Sequence, residues 1–292
     1  MNILDKAKST GLLFDGAMGS MLMASGMPAG MASELMNIEK PDTVLEIHKA
    51  YLDAGSDVIT TNTFGGSPIK MKSAGIAHLA EEANQMAARI ARQAAGAERY
   101  VAGDIGPMGE MLEPLGLITA SEAEDNFSRQ AEVLAHNGVD LFIVETMFDI
   151  NESLAAIRGI RDVSDLPVFA TLTFEKGPLG FATIMGNRVD ESMHALVDAG
   201  AVAVGANCSI GSDLMIELAA EIRRCVTVPV IIQSNAGLPE TRDGRLVYPE
   251  TPERYAANVA KIRALGVTII GGCCGTTPEY IREIRDLIQK YP

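Results

Sequence analysis

Cys273 and Cys274 are neighbours in the glycine frame Gly271-Gly272-Cys273-Cys274-Gly275-Thr276-Thr277-Pro278, and Cys208 closes the segment Gly205-Ala206-Asn207-Cys208. Each cluster ends an apolar, strand-like run, so three thiols brought to one rim could hold a zinc ion. Three thiolates on a tetrahedral zinc leave one position open, the pattern of a catalytic rather than a closed structural site. Three anionic sulfurs weaken the metal as a polariser of water and suit it to another soft ligand, such as a substrate thiol. A free thiol, with a pKa of about 8.5, is only slightly ionised at neutral pH, and coordination removes that limitation. The chemistry suggested is alkylation of a substrate sulfur. The alternative is that the cysteines are small buried residues with no ligand role.

Such convergence needs a scaffold. Short β-rich runs recur eight times, around Leu12–Asp15, Asp57–Thr61, Tyr100–Gly103, Asp140–Glu145, Pro167–Thr171, Val202–Ala206, Val228–Gln233 and Val267–Ile270. Most are continuous apolar stretches, as parallel strands buried on both faces require. Helical patterns lie between them, and Gly55, Gly138, Gly200 and Gly266 each stand where a helix should close before the next strand. This repeated unit predicts a single (β/α)8 TIM barrel over residues 1–292, with no composition break to divide it. Function then collects at the C-terminal strand ends: Asp15 to Ser20, Thr61 to Phe64, Asp104 to Pro107, Glu145-Thr146, Thr173-Phe174, Asn207-Cys208, Ser234-Asn235 and Cys273-Cys274.

Strands six and eight are separated only by strand seven, which brings Cys208 toward the pair. Consecutive side chains on a regular strand point to opposite faces. Both members of the pair serve one ion only if the backbone bends there, and the flanking glycines make that bend sterically cheap. Thr277 is placed as an N-cap with Pro278 at the first helical position. His48, His78, His136 and His194 all fall in helical patterns and supply no nearby ligand. Cys225 sits near a helix end, away from the rim, and reads as packing.

Composition narrows the classes. With 24 basic against 38 acidic residues the net charge is −14, and no Lys or Arg run is long enough to track a phosphate backbone, which argues against nucleic-acid binding. No apolar run approaches a membrane span, and Met1-Asn2-Ile3-Leu4-Asp5-Lys6 does not open a signal region. Four cysteines, two adjacent, are unlike a secreted disulfide framework. The expectation is a cytoplasmic protein.

The ordered set Asp15-Gly16-Ala17-Met18-Gly19, Thr61-Asn62-Thr63-Phe64, Glu145-Thr146, Gly205-Ala206-Asn207-Cys208 and Gly271-Gly272-Cys273-Cys274-Gly275 resembles the homocysteine S-methyltransferase family across essentially the whole chain. The resemblance looks closest to the homocysteine-binding barrels of cobalamin-dependent methionine synthases. It implies methyl transfer to homocysteine, giving methionine, with Cys208, Cys273 and Cys274 as zinc ligands. Glu145, costly at the end of an apolar strand unless paired, would meet the substrate ammonium. The turn from Gly16 through Ala17, Gly19 and Ser20 to Met21 would present N–H groups to the substrate carboxylate. Asn235, on the strand between the cysteines, is a candidate labile fourth zinc ligand, and Asn207 and Asp15 are candidates for orienting substrate.

The resemblance favours methylcobalamin as donor, carried by a separate corrinoid-binding domain or protein. S-methylmethionine or another small donor is the alternative, as is a homocysteine- and zinc-binding module inactive without partner domains. Betaine is disfavoured, because a quaternary ammonium needs an aromatic cage and the chain has no Trp. Met18, Met21, Met23, Met27 and Met31 form a soft stretch that is either a partner contact or filler.

Overall fold

The computed structural model describes residues 3–242 and 245–290; residues 1, 2, 243, 244, 291 and 292 of the expected domain lie outside them. Eight parallel strands form the centre: β1 Leu12–Leu13, β2 Val58–Thr60, β3 Tyr100–Ile105, β4 Leu141–Met147, β5 Val168–Leu172, β6 Ala203–Gly211, β7 Val230–Asn235 and β8 Ile269–Gly272. Their spatial order is β1-β8-β7-β6-β5-β4-β3-β2, and a parallel bridge from Phe14 to Val58 joins the two ends into a barrel. The expected (β/α)8 architecture is the one observed.

The strands alternate their side chains between two cores. Leu12, Phe14, Val58, Ala102, Leu141, Ile143, Phe169, Ala203, Ile231 and Ile269 fill the barrel, and Ile3 and Ala7 of helix α1 (Ile3–Ser9) plug its floor. Phe14 and Phe169 lie 6.1 Å apart between ring centroids. Each such buried ring contributes roughly 2–3 kcal/mol of transfer free energy. A larger core lies between strands and outer helices.

Gly55, Gly138, Gly200 and Gly266 all have positive φ, from 86° to 109°, so each closes its helix in the left-handed conformation that glycine adopts without strain. The floor is tied electrostatically. Asp57 receives Lys6 at 2.9 Å, Arg99 at 3.3 Å, Arg285 at 2.9 Å and the Leu13 N–H at 3.0 Å. One buried carboxylate thereby joins α1, β1, the start of β2 and the helix Pro278–Lys290.

Several strands run further than their apolar stretches suggest. β4 continues through Glu145 to Met147 and β6 through Cys208 to Gly211, each across a register shift, between Val144 and Met147 and between Asn207 and Gly211. Thr146, Cys208 and Ser209 take positive φ of 58°, 59° and 55° at these irregularities. Bulged backbone is how a strand re-aims a side chain that strict alternation would misplace. The eight strand-to-helix loops, including short hairpins after β5 and β7, form the opposite face from α1.

Candidate metal and substrate site

Cys208 is carried by the β6 bulge, whereas Cys273 and Cys274 follow the last residue of β8. The bend expected at the pair therefore falls in the turn after the strand. Cys273 N–H donates to Ser234 C=O at 2.9 Å and its own C=O accepts Thr276 N–H at 3.1 Å, while Cys274 C=O accepts Ala236 N–H at 2.9 Å. Tyr255 braces this corner from the outer core, its single hydroxyl proton shared between Ser234 C=O at 3.0 Å and Gly271 C=O at 3.1 Å.

All three sulfurs lie within 4.8 Å of one another, and Cys208 Sγ is 3.8 Å from Cys274 Sγ. Four sulfur-length bonds of about 2.3 Å in a tetrahedron place ligand sulfurs about 3.8 Å apart, whereas a disulfide would draw two of them to about 2.05 Å. The triad therefore fits a tetrahedral zinc ion. Hydrogen bonds from Cys208 and Cys273 pull the Cys274 thiol down to about 3. Hydrogen bonds with Cys208 and Cys274, together with burial, push Cys273 up. Tyr248 also hydrogen-bonds Cys274 and packs its ring against Gly275.

Beside the sulfurs lies a pocket of about 260 Å³, lined by Asp15 to Ser20, Asp104, Glu145, Thr146, Gln233, Tyr248 and the three cysteines. Three larger clefts, on the barrel floor, between helices and beside the loop after β7, bring no comparable group of thiols and acids together among the described residues. Burial raises Glu145 to about 8, helped by Cys208 and Asp15. Asp15 rises to about 7 on burial, although Thr60 donates to it from both N–H at 2.8 Å and Oγ1 at 2.9 Å. The pocket wall thus carries buried acids.

Most of the expected residues meet here, but not all in one manner. Gly19 is open to the pocket, and Met18, Gly19 and Ser20 form the first turn of helix α2 (Met18–Ala24) rather than an isolated turn. First-turn N–H groups have no intrahelical acceptor. The Met21 N–H is already committed to Ala17 C=O at 3.3 Å, and Ser20 Oγ accepts Gly275 N–H at 3.2 Å. Met18, Met21, Met27 and Met31 pack against the core, while Met23 projects at the pocket mouth.

Asn207 and Asn235 stand behind the pocket wall. Asn207 Oδ1 accepts Thr146 N–H and Thr171 Oγ1, both at 2.8 Å, and Nδ2 donates to Thr146 Oγ1 at 2.7 Å and toward Cys273 Sγ at 3.8 Å. It links the bulges that carry Glu145 and Cys208. Asn235 Oδ1 is buried with no partner, on the strand between the cysteines. Cys225 donates to Glu221 C=O at 3.2 Å on the outer layer, as expected of a packing residue.

Sequence reasoning did not single out Asp104, Gln233 or Tyr248 as site residues. Asp104 was visible only as one of many strand-end polar residues, and Tyr248 follows a hairpin whose path no local pattern announces.

The profile of homocysteine S-methyltransferases matches residues 12–288. The chain belongs to the homocysteine S-methyltransferase family. Among curated relatives, methionine synthase of Mycobacterium tuberculosis is 32% identical over 97% of the chain, and that of Mycobacterium leprae 30% identical over 97%. The chain spans 25% of the length of each of these relatives. The homocysteine methyltransferase MmuM from Escherichia coli shares the fold: its metallated form superposes with a TM-score of 0.81 at 21% identity, and its oxidized form with 0.82 at 22%, each covering 98% of both chains. No helix among the described residues is long and apolar enough to cross a membrane.

Proposed function

We propose that this chain is a zinc-dependent homocysteine-binding domain that transfers a methyl group to the homocysteine thiol, giving methionine. The observation that carries this reading is the cysteine triad at tetrahedral spacing on the wall of an acidic pocket, within a chain of this family. Bound to Cys208, Cys273 and Cys274, zinc supplies Lewis acidity that favours the thiolate form of a substrate sulfur at neutral pH. Glu145 receives the substrate ammonium, and the N–H groups of the first turn of α2 receive its carboxylate. Asn207 orients Glu145 through the Thr146 bulge. The buried, unpartnered Asn235 amide oxygen would serve as the labile fourth ligand. The substrate sulfur forms its bond to the methyl carbon as the donor's bond to that carbon breaks, with the electron pair leaving on the donor.

The donor is inferred from the surface around the pocket. Eight of the ten most exposed large apolar side chains among the described residues sit on loops or helices directly following β1, β2, β3, β5 and β7. They include Leu117 at 91% and Leu179 at 90% exposure. Exposed apolar side chains on the loops of the pocket face, with Met23 and Phe64 lining the pocket itself, favour a donor carried by another protein surface, which supports methylcobalamin on a corrinoid-binding domain. Phe64 and Tyr248 are the aromatic residues lining the pocket, too few for a quaternary ammonium cage. Four free thiols suit a reducing, cytoplasmic setting.

The test uses purified chain loaded with one zinc equivalent, assayed for methionine formation with homocysteine and either methylcobalamin or S-methylmethionine. Transfer from methylcobalamin that disappears on chelation or in Cys273→Ser is expected. Transfer from S-methylmethionine alone would favour a free small donor, and homocysteine binding without transfer from either would favour a module dependent on partner domains. Full activity in rigorously metal-free protein would refute the mechanism.

A further inference from the structure

Cys208, Cys273 and Cys274 are half-buried and line the pocket that receives the electrophile, so a methyl donor can reach the protein's own sulfurs as well as the substrate's. Coordination keeps a thiolate nucleophilic. A centre of four sulfurs therefore needs a means of directing the methyl group to one of them.

Each protein sulfur has a hydrogen-bond donor of its own. Asn207 Nδ2 donates toward Cys273 Sγ at 3.8 Å, the Ser209 N–H donates to Cys208 Sγ, and the Tyr248 hydroxyl donates to Cys274 Sγ. Contacts among the thiols themselves depend on thiol protons, which metal binding releases. The other three donors survive that loss, because none of them belongs to a cysteine side chain. Asn207 and Ser209 flank Cys208 in the β6 bulge, whereas Tyr248 comes from beyond the barrel strands, after the hairpin that ends at Val247. A Cβ on Gly275 would stand 2.2 Å from the Tyr248 Cγ, so glycine beside Cys274 makes room for the ring that carries the hydroxyl.

A hydrogen bond to an anionic sulfur stabilises its charge, and that stabilisation fades as the sulfur gives its electron pair to carbon. A thiolate so bonded is the poorer nucleophile. We propose that Tyr248 is a positioning residue that shields Cys274 from methylation: with Asn207 and the Ser209 N–H it engages the protein's sulfurs and leaves the substrate sulfur the most nucleophilic of the four. This rests on the zinc reading of the triad and adds to it a choice of acceptor. The methyl carbon bonds to the substrate sulfur, rather than to a ligand sulfur, as its bond to the donor breaks and the electron pair leaves on the donor.

The test treats zinc-loaded protein with methyl iodide, whose iodide leaves with the bonding pair, and maps S-methylation of each cysteine by peptide mass spectrometry. Cys225, away from the pocket, supplies the reference rate. Tyr248→Phe keeps the ring over Gly275 and removes only the hydroxyl. Without homocysteine, Cys274 should be methylated about 5- to 10-fold faster in Tyr248→Phe than in wild type, the effect of losing part of one charged hydrogen bond, while Cys208 changes less than about 2-fold. With cobalt in place of zinc, the sulfur-to-metal charge-transfer band should move to longer wavelength in the variant, as one ligand sulfur becomes more electron-rich. In wild-type protein saturated with homocysteine, methyl iodide should give methionine with less than about one-tenth as much methylated cysteine. An unchanged Cys274 rate in folded, zinc-loaded Tyr248→Phe would overturn the inference, as would equal acceleration at all three sulfurs, the mark of a loosened site. Wild-type cysteines methylated as fast as bound homocysteine would also overturn it, whatever the variant does. Protein that takes up no zinc at the triad would instead overturn the proposed function.

Discussion

Replacing Asn207 by Ala should loosen both halves of the site together. Its amide orientation is fixed by chemistry, because the Thr146 N–H can only donate and so must face Oδ1. Three short hydrogen bonds, two at 2.8 Å and one at 2.7 Å, disappear in Asn207→Ala. At a net value of about 1 kcal/mol each they amount to roughly 3 kcal/mol. Thr146 is a β-branched residue held at φ 58°. Letting it relax from the left-handed region recovers about 1 kcal/mol. The expected net loss is therefore about 2 kcal/mol, a substantial part of a folding free energy of roughly 5–15 kcal/mol. Urea unfolding of reduced, metal-free protein reads this loss without the contribution of zinc, and a chromophoric chelator competition reads zinc affinity separately. Asn207→Asp should be at least as damaging, because it replaces the donor facing Thr146 Oγ1 and Cys273 Sγ with a further negative charge. A stability change below about 0.5 kcal/mol in Asn207→Ala, with unchanged zinc affinity, would show that the bulges are held by something else.

Two further substitutions probe the scaffold. Gly275→Ala meets both a φ of 81° and a Cβ only 2.2 Å from the Tyr248 ring, so a loss of about 2–4 kcal/mol and displacement of Tyr248 from Cys274 are expected, read by denaturation and tyrosine fluorescence. Burial alone would raise Asp57, but Lys6, the Leu13 N–H and Arg285 hold it below its ordinary value of 3.8. A depressed acid contributes stability that is present above the unfolded pKa and lost as pH falls through the folded one. Asp57→Asn should accordingly cost about 3 kcal/mol at pH 7 and flatten the stability profile below about pH 4, measured by urea unfolding across pH. An unaltered acid limb would contradict that assignment.

The barrel was legible because its two signals are physically independent: continuous apolar runs mark strands covered on both faces, and glycines such as Gly138 and Gly266 mark where helices must turn left-handed. The bulges were not legible. Thr146, Cys208 and Ser209 take left-handed backbone without the Gly or Asn that usually announces it, so Glu145 and Cys208 read as strand ends when they lie within strands. The cysteine triad was readable through topology, since strands six and eight flank strand seven. Asp104 escaped because its distinction is an absence of partners in space, which no local residue pattern encodes.

The Asp57 tie holds two outer helices to the floor of this barrel. Both α1 and the helix Pro278–Lys290 are gripped at the floor, while the pocket opens on the far side of strands such as the six-residue β3, a wall about 20 Å high. Were a donor-bearing domain tethered to either helix near its contact with Asp57, the tether would need at least about six extended residues to pass that wall and reach the mouth. Beyond that minimum, tether length sets the local concentration of the donor and hence how often it visits, independently of the chemistry in the pocket.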